Sequence, residues 1–478
     1  MAEKMLSHTK EKGRVWAAAE HFSGDLATFV IFIVLARLLY PADYGAISLA
    51  VVLAALGTAL VQNAVGPARS GETEAAERST AFLLRLVLGL LLCGAFWLLA
   101  GPLEALFPLP ELAKLLRALS FLPPLAALRA ELSTHAEREG LQKRSFLASL
   151  VGTAVSLLLG LFLARRGCGV WALAAQLLSK AALDVPVQAL ALRWRPGFGV
   201  SSHGVRALLR REGADRWTGL LELFCFQLPC LLIGARCAPE ALAYYTRGQR
   251  DPEIVAKALD AAAEALPPKE EETLPRLRER LLTGCCLSFP ALLGLMAVAA
   301  PVASWILTER WLPFVPYLRV FCVLFLAQAV RQPCLAALRE AGRERAARLL
   351  RLLHGALAAV LLGLAWALGA DALRLAVLSA AASWAAALAA LALSARLLGY
   401  GAGEQARDLL PALLLSLLMA GAVYALASLL TGAGAAPILA AGAGIVLGVA
   451  LYGGLGLLLR LPGLRLLLKR VTERLRRE

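Results

Sequence analysis

Apolar runs of roughly 20 residues, each long enough to cross a hydrocarbon core as a helix, recur about fourteen times along the chain. They lie near 14–38, 42–66, 79–100, 112–134, 145–164, 168–192, 215–235, 240–265, 281–305, 312–338, 346–369, 372–395, 408–430 and 436–459. This pattern predicts an all-α polytopic membrane protein with about fourteen transmembrane helices. The polar gaps between the runs are sorted by charge. The N-terminus, the even-numbered gaps and the tail hold about 34 of the 49 Lys and Arg, and the odd-numbered gaps about 8. Basic gaps mark the cytoplasmic side, so the sorting predicts an even number of helices with both termini cytoplasmic.

Composition agrees. The 478 residues are 59% hydrophobic, and a mean hydropathy of +0.68 is far too apolar for an ordinary soluble protein. The formal net charge of +15 reads as short loops beside anionic headgroups rather than as a nucleic-acid surface. The polar start MAEKMLSHTKEKGR runs straight into the first span, which is therefore expected to be an uncleaved anchor. Nine cysteines are scattered through the apolar runs without a C-x-x-C array, so buried thiols are expected and a zinc site is not. Cys168 and Cys237 lie near the outer face, where a disulfide is conceivable.

Two stretches repeat. Trp16, an apolar run to Ala36-Arg37 and Pro41-Ala42-Asp43-Tyr44-Gly45 match Trp217, a run to Ala235-Arg236 and Ala238-Pro239-Glu240-Ala241-Leu242-Ala243-Tyr244. In both, an acid stands near the positive end of the return helix. The copies open spans one and seven, so two like-oriented six-helix bundles are predicted, related by a pseudo-twofold axis along the membrane normal, with a cavity between them. The expected divisions are an N-terminal lobe (1–192), a cytoplasmic linker (193–214), a C-terminal lobe (215–397), an extra helix pair (398–460) and a basic tail (461–478). Ser201 or Ser202 would cap a short amphipathic helix in the linker. The tail has apolar residues at helical spacing among basic ones and is expected to lie on the inner leaflet.

The run Ala36-Arg37-Leu38-Leu39-Tyr40-Pro41-Ala42-Asp43-Tyr44-Gly45 resembles the signature of Wzx-type polysaccharide flippases, in the multidrug, oligosaccharidyl-lipid and polysaccharide exporter superfamily. Further matches follow in order: Ala64 to Ala68, Gly169 to Leu173, Leu231 to Gly234, Ala243 to Tyr245, and Trp311 to Pro313. The resemblance covers nearly the whole chain. It implies a bacterial inner-membrane transporter, not an enzyme, that moves undecaprenyl-diphosphate-linked glycan outward by alternating access. It implies no cofactor beyond H+ or Na+ as coupling ion. The expected partners are the lipid-linked glycan, membrane lipids, a polysaccharide polymerase and glycosyltransferases, around a monomer. Two departures stand out: Phe226-Gln227-Leu228-Pro229-Cys230 lacks the acid or Asn common in span seven, and span one carries Glu20, His21 and Asp25.

Such a lipid needs fixed positive charge for its phosphates and donors for its sugars. Lys180 in span six is the first candidate phosphate contact, and Asp184, one turn on, is its alternative internal partner. Arg331 in span ten and Arg129 in span four follow, with snorkelling as the rival for Arg129. Arg319 is a further in-span cation. Span eight carries Tyr244, Tyr245, Arg247, Gln249 and Arg250, suited either to sugar rings and hydroxyls or to a wet entrance. Span four, with Pro123, Pro124 and Glu131, is expected to be kinked. Asp25 and Glu222 occupy equivalent helices of the two repeats and are the coupling-ion candidates with Glu20 and Asp184; internal pairing with Lys180 or Arg331 is the alternative. His21 and His354 lie near helix ends.

Rival readings are a lipid II flippase, a multidrug antiporter and a membrane glycan polymerase or ligase. An antiporter for cationic drugs calls for an acidic cavity, whereas the in-span residues lean basic. A polymerase calls for a large external loop, whereas the outer gaps are short. The topology is tested by cysteines placed in 193–216: labelling from the cytoplasmic side alone is expected, and labelling from outside would reverse it.

Overall fold

The computed structural model describes residues 16, 23, 24, 26, 27, 29–63, 65, 74–107, 109, 111–195, 199, 213–264 and 272–475. Its elements are α-helices with one 3-10 turn at Glu309–Phe314. They are α1 (Phe29–Leu38), α2 (Pro41–Asn63), α3 (Glu74–Leu106), α4 (Leu112–Leu119), α5 (Leu122–Arg138), α6 (Gln142–Arg165), α7 (Trp171–Ala191) and α8 (Gly213–Arg236). After them come α9 (Pro239–Glu264), α10 (Thr273–Ile306), α11 (Val315–Glu340), α12 (Glu344–Ala367), α13 (Ala372–Leu398), α14 (Ala402–Gly432), α15 (Pro437–Leu458) and α16 (Pro462–Leu475).

Among the described residues, 10 helices are long and apolar enough to cross a membrane. The predicted spans missing from that set are the described part of span one, the broken span four, α7 and α9. The last three carry Arg129 with Glu131, Lys180 with Asp184, and Arg247, Arg250 and Asp251, which lowers their hydropathy. Leu90, Leu91 and Leu98 of α3 and Val446 and Val449 of α15 are exposed, as a lipid-facing surface requires.

Span four is two helices rather than one kinked one. α4 ends at Leu119 and α5 begins at Leu122. Pro123 and Pro124 supply no backbone N–H and disfavour a helical residue before them, and Ser120 Oγ donates to the Arg117 carbonyl at 2.6 Å. Glycines on the neighbours receive this joint: a Cβ on Gly89 would lie 2.8 Å from Pro124 Cα, and one on Gly57 would lie 3.4 Å from Pro123.

The chain forms two compact units, Met1–Ala243 and Tyr244–Glu478. The division falls within α9, and α8 packs on α2 inside the first unit. The two copies of the repeated turn also meet: a Cβ on Gly45 would collide with the backbone of Pro239. In the first copy Asp43 accepts from the Tyr40 amide at 3.0 Å, so the acid closes the turn. Of the linker's interior, Arg193, Trp194, Arg195 and Gly199 are described. Ser201, Ser202 and their predicted helix lie outside the described residues.

The second unit is organised around the start of α10, whose charges reach three neighbours. Arg276 and Arg280 pair with Glu340 of α11 at 3.4 and 2.7 Å. Arg278 pairs with Asp408 of α14 at 2.6 Å, and Tyr400 also donates to Asp408 at 2.9 Å. Glu279 pairs with Arg470 of α16, and both are buried. The tail therefore docks on protein: Leu461 and Leu467 are buried, and Gly463 sits where a Cβ would meet the Leu282 carbonyl. The expected inner-leaflet helix thus spends Arg470 internally and leaves Arg460, Arg465 and Lys469 exposed.

Gly45→Val is expected to force the repeated turns apart, at about 1–3 kcal/mol for overpacking, and to lower the detergent-solubilised unfolding temperature. Gly94→Ala, where a Cβ meets nothing within 4 Å, is expected to be neutral. A Gly45→Val protein as stable as wild type would remove this contact from the account.

Candidate functional site

The first unit gathers charge where α3 and α6 begin and α5 and α7 end. α6 turns a small-residue face inward, with Ser145, Ser149, Gly152, Thr153, Ser156 and Gly160 all buried. That face lets α7 approach closely. α7 opposes it with Gln176, Lys180, Asp184 and Gln188, one polar residue every fourth position, so all four share one helix face. Gly152 leaves room for the Asp184 carboxylate, and a Cβ on Gly160 would lie 3.1 Å from Gln176.

Asp184 is 0% exposed and is held by two cations. Lys180 Nζ lies 3.0 Å from Oδ2, and Arg129 Nη1, from α5, lies 3.6 Å from the same oxygen. Lys180 also donates to Thr153 Oγ1 at 2.8 Å. The structure thus realises the internal pairing of Lys180 with Asp184. Arg129 retains 34% side-chain exposure against 13% for Lys180, so Arg129 is the more open cation. One layer away, Arg78 of α3 pairs with Glu131 of α5 at 3.0 Å and is 29% exposed. Arg85 donates to the Val65 carbonyl at 3.1 Å and lies within electrostatic range of Glu131. Arg78, Arg85, Arg129 and Lys180 thus meet the carboxylates Glu131 and Asp184 in one part of the first unit.

The second unit distributes the other candidates. On α9, Arg247 pairs with Asp251, and Arg250 lies 3.7 Å from Glu253. Tyr245 is 1% exposed, edge-on to Phe321 at 5.0 Å and Tyr317 at 6.3 Å. It packs the unit instead of presenting a ring to a sugar. Tyr244 donates to the Arg310 carbonyl at 2.8 Å and meets Trp311 edge-on. Arg319 lies over the exposed ring of Tyr424, 5.7 Å from its centroid, and so does not join the other cations. Arg331 is 3% exposed, with Nη1 3.4 Å from His354 Nδ1.

Of the acid candidates, Glu222 is half-buried on α8 within electrostatic range of Cys225. Asp25, Glu20 and His21 lie outside the described residues. Cys168 and Cys237 are not joined in a disulfide. Among the described residues no group of His, Cys, Asp and Glu could hold a metal. Arg78, Gln176, Gln188, Arg348 and Arg351 are additions to the sequence reading. The four-residue polar spacing on α7, facing a small-residue stripe on α6, is the signal that marks Gln176 and Gln188.

The family model for polysaccharide biosynthesis proteins matches residues 34–316, more than half of the chain. The chain belongs to that family. Succinoglycan biosynthesis transport protein ExoT of Rhizobium meliloti (strain 1021) is 24% identical over 319 residues, covering 64% of this chain and 63% of ExoT. The chain thus matches a little under two thirds of that relative's length. The lipid II flippase MurJ, in an inward closed conformation, superposes with a TM-score of 0.71 at 13% identity, covering 91% of this chain and 96% of MurJ. An inward-facing multidrug resistance MATE family transporter of the MOP superfamily gives 0.52 at 14% identity, over 81% and 94% of the two chains. Family membership and the 10 membrane-length apolar helices among the described residues make this polysaccharide biosynthesis protein a multi-pass membrane protein, with the fold that MurJ and the MATE structure share.

Asp184→Ala is expected to cost about 3–5 kcal/mol by leaving Lys180 buried without its carboxylate, read as a fall in unfolding temperature in detergent. Lys180→Leu with Asp184→Leu is expected to recover much of that loss. Equal stability of Asp184→Ala and wild type would show that the pairing carries no structural weight.

Proposed function

We propose that this protein is a flippase carrying an undecaprenyl-diphosphate-linked oligosaccharide, or a polysaccharide repeat unit, from the cytoplasmic to the outer leaflet of the bacterial inner membrane by alternating access. The observation that carries this reading is the pair of partly exposed guanidinium groups, Arg78 and Arg129, on helices of the first unit. Charges in hydrocarbon cost about 2.5–3.5 kcal/mol each on insertion scales, so guanidinium groups kept on spanning helices and left partly open suit an anionic ligand. A diphosphate is one and accepts charge-assisted hydrogen bonds from guanidinium forks. Arg129 and Arg78 are each about one-third exposed and are the contacts we assign to the phosphates. Lys180, fixed between Asp184 and Thr153, sustains the local potential and holds α7 to α6.

Membership of a polysaccharide biosynthesis family favours a glycan on the lipid, and the transport role in ExoT's name agrees. The MurJ-like fold favours a second reading, lipid II, whose diphosphate would meet the same arginines. A cationic drug would meet repulsion from them. Transport by this reading is driven by H+ or Na+, with Glu222 and the undescribed Asp25 and Glu20 as carboxylate candidates; Asp184 is already engaged by two cations. The protein acts as a monomer with cytoplasmic termini, beside the glycosyltransferases and polymerase that make and consume its cargo.

Arg78→Ala with Arg129→Ala is expected to reduce surface polysaccharide at least tenfold at unchanged membrane abundance, since each lost charge-assisted bond is worth about 1.5–3 kcal/mol. Polymer at the wild-type level in the double variant would reject the phosphate assignment. Loss of polysaccharide with normal cell-wall synthesis separates the glycan reading from lipid II.

A further inference from the structure

The Arg331–His354 pair has a chemistry that the carboxylate candidates lack. A guanidinium remains protonated and only donates. Arg331 Nη1 lies 3.4 Å from His354 Nδ1, and a hydrogen bond between them needs that ring nitrogen as acceptor, which is the neutral imidazole with its proton on Nε2. Protonating His354 at this geometry would abolish the acceptor and place two cations side by side, where Arg331 is 3% exposed and solvent screens little.

The surrounding charges sharpen the conflict. On α12 itself, Arg351 is buried one turn before His354, with Arg348 beyond it. α13 packs on both α11 and α12 and has no titratable residue between Arg374 and Arg396. Arg331 is the one charged residue of α11 between Arg319 and Arg339, its other titratable groups there being Cys322 and Cys334. From α9, Asp251 and Asp260 act electrostatically on Cys322 of α11 and on Cys285 of α10. Pro333, two residues past Arg331, cannot donate to the Ala329 carbonyl, which loosens α11 beside the pair.

We propose that His354 is a proton-binding residue of the transport cycle, controlled by Arg331. While Arg331 addresses the ring, His354 stays neutral. When Arg331 turns to an anionic phosphate group, the ring loses its donor and its cationic neighbour is neutralised, and a proton is taken up. By linkage, protonated His354 in turn releases Arg331 toward the anion, so binding and protonation favour one another. This rests on the diphosphate reading of the substrate above, and it places a coupling proton on an imidazole instead of on Asp25, Glu20 or Glu222.

The test uses the full chain in nanodiscs. Nitrogen-15 labelling of its five histidines, assigned with His354→Gln, is expected to show the neutral Nε2–H form for His354 at neutral pH. The pH at which that signal titrates is expected to move in Arg331→Gln; an unmoved titration, or the opposite tautomer, overturns the switch. Undecaprenyl diphosphate is then titrated calorimetrically in buffers of different ionisation enthalpy between about pH 6 and 8. Wild type is expected to take up as much as one proton per bound lipid and to bind more tightly as pH falls, by at most about tenfold per pH unit for a single proton. His354→Gln keeps an oxygen that can accept from Arg331, so it should bind with an affinity that is flat with pH. A His354→Gln profile like wild type overturns the assignment. Wild type that binds no undecaprenyl diphosphate, with the titration still coupled to Arg331, overturns the anion linkage and the diphosphate reading together. Failure confined to the resonance measurements overturns the switch alone.

Discussion

A charge inside an apolar helix bundle must be answered by another charge or a dipole, and that constraint shapes every polar site in this molecule. Asp184 is the sharpest case. Fully buried on α7, it holds Lys180 through one helical turn and Arg129 across to α5, and the glycine at 152 makes space for it. Remove the carboxylate and two cations on separate helices lose their shared anchor. The polar ladder on α7 persists in hydrocarbon because α6 offers it small residues and hydroxyls in place of lipid.

The same rule builds the second unit differently. There the charges at the start of α10 serve as rivets, reaching Glu340, Asp408 and Arg470 on three separate helices. Asp408 takes both Arg278 and the Tyr400 hydroxyl, so α14 is fixed to α10 near the start of both helices. Tyr452 of α15 adds a bond of 3.0 Å to the Cys286 carbonyl. The extra helix pair is thereby welded to the unit through polar ties at one end and small-residue packing at Gly444 and Gly448 along its length.

The helical class and ten of the spans, in their order, were legible in the sequence because length and hydropathy are properties of a single segment. Joints were less so. The break of span four at Ser120 depends on two prolines finding glycines on α2 and α3, a relation between distant parts of the chain. Site residues divide along the same line. Lys180 with Asp184 could be read from a spacing of four, but the third member, Arg129, required the packing of α5 on α7. Tyr245 shows the reverse error: an aromatic in a polar stretch suggests a ligand, yet its neighbours Phe321 and Tyr317 bury it. Arg470 of the basic tail was similarly claimed by Glu279, a partner 191 residues away in sequence.

The turn at Gly45 has a further implication. Glycine in the first copy of the motif accommodates the proline of the second, so within the first unit the two turns are cut to fit each other asymmetrically, like lock parts from one blank. Chimaeras that exchange one half with a relative would therefore need to import tooth and notch together, which confines productive crossover points to places outside residues 45 to 239.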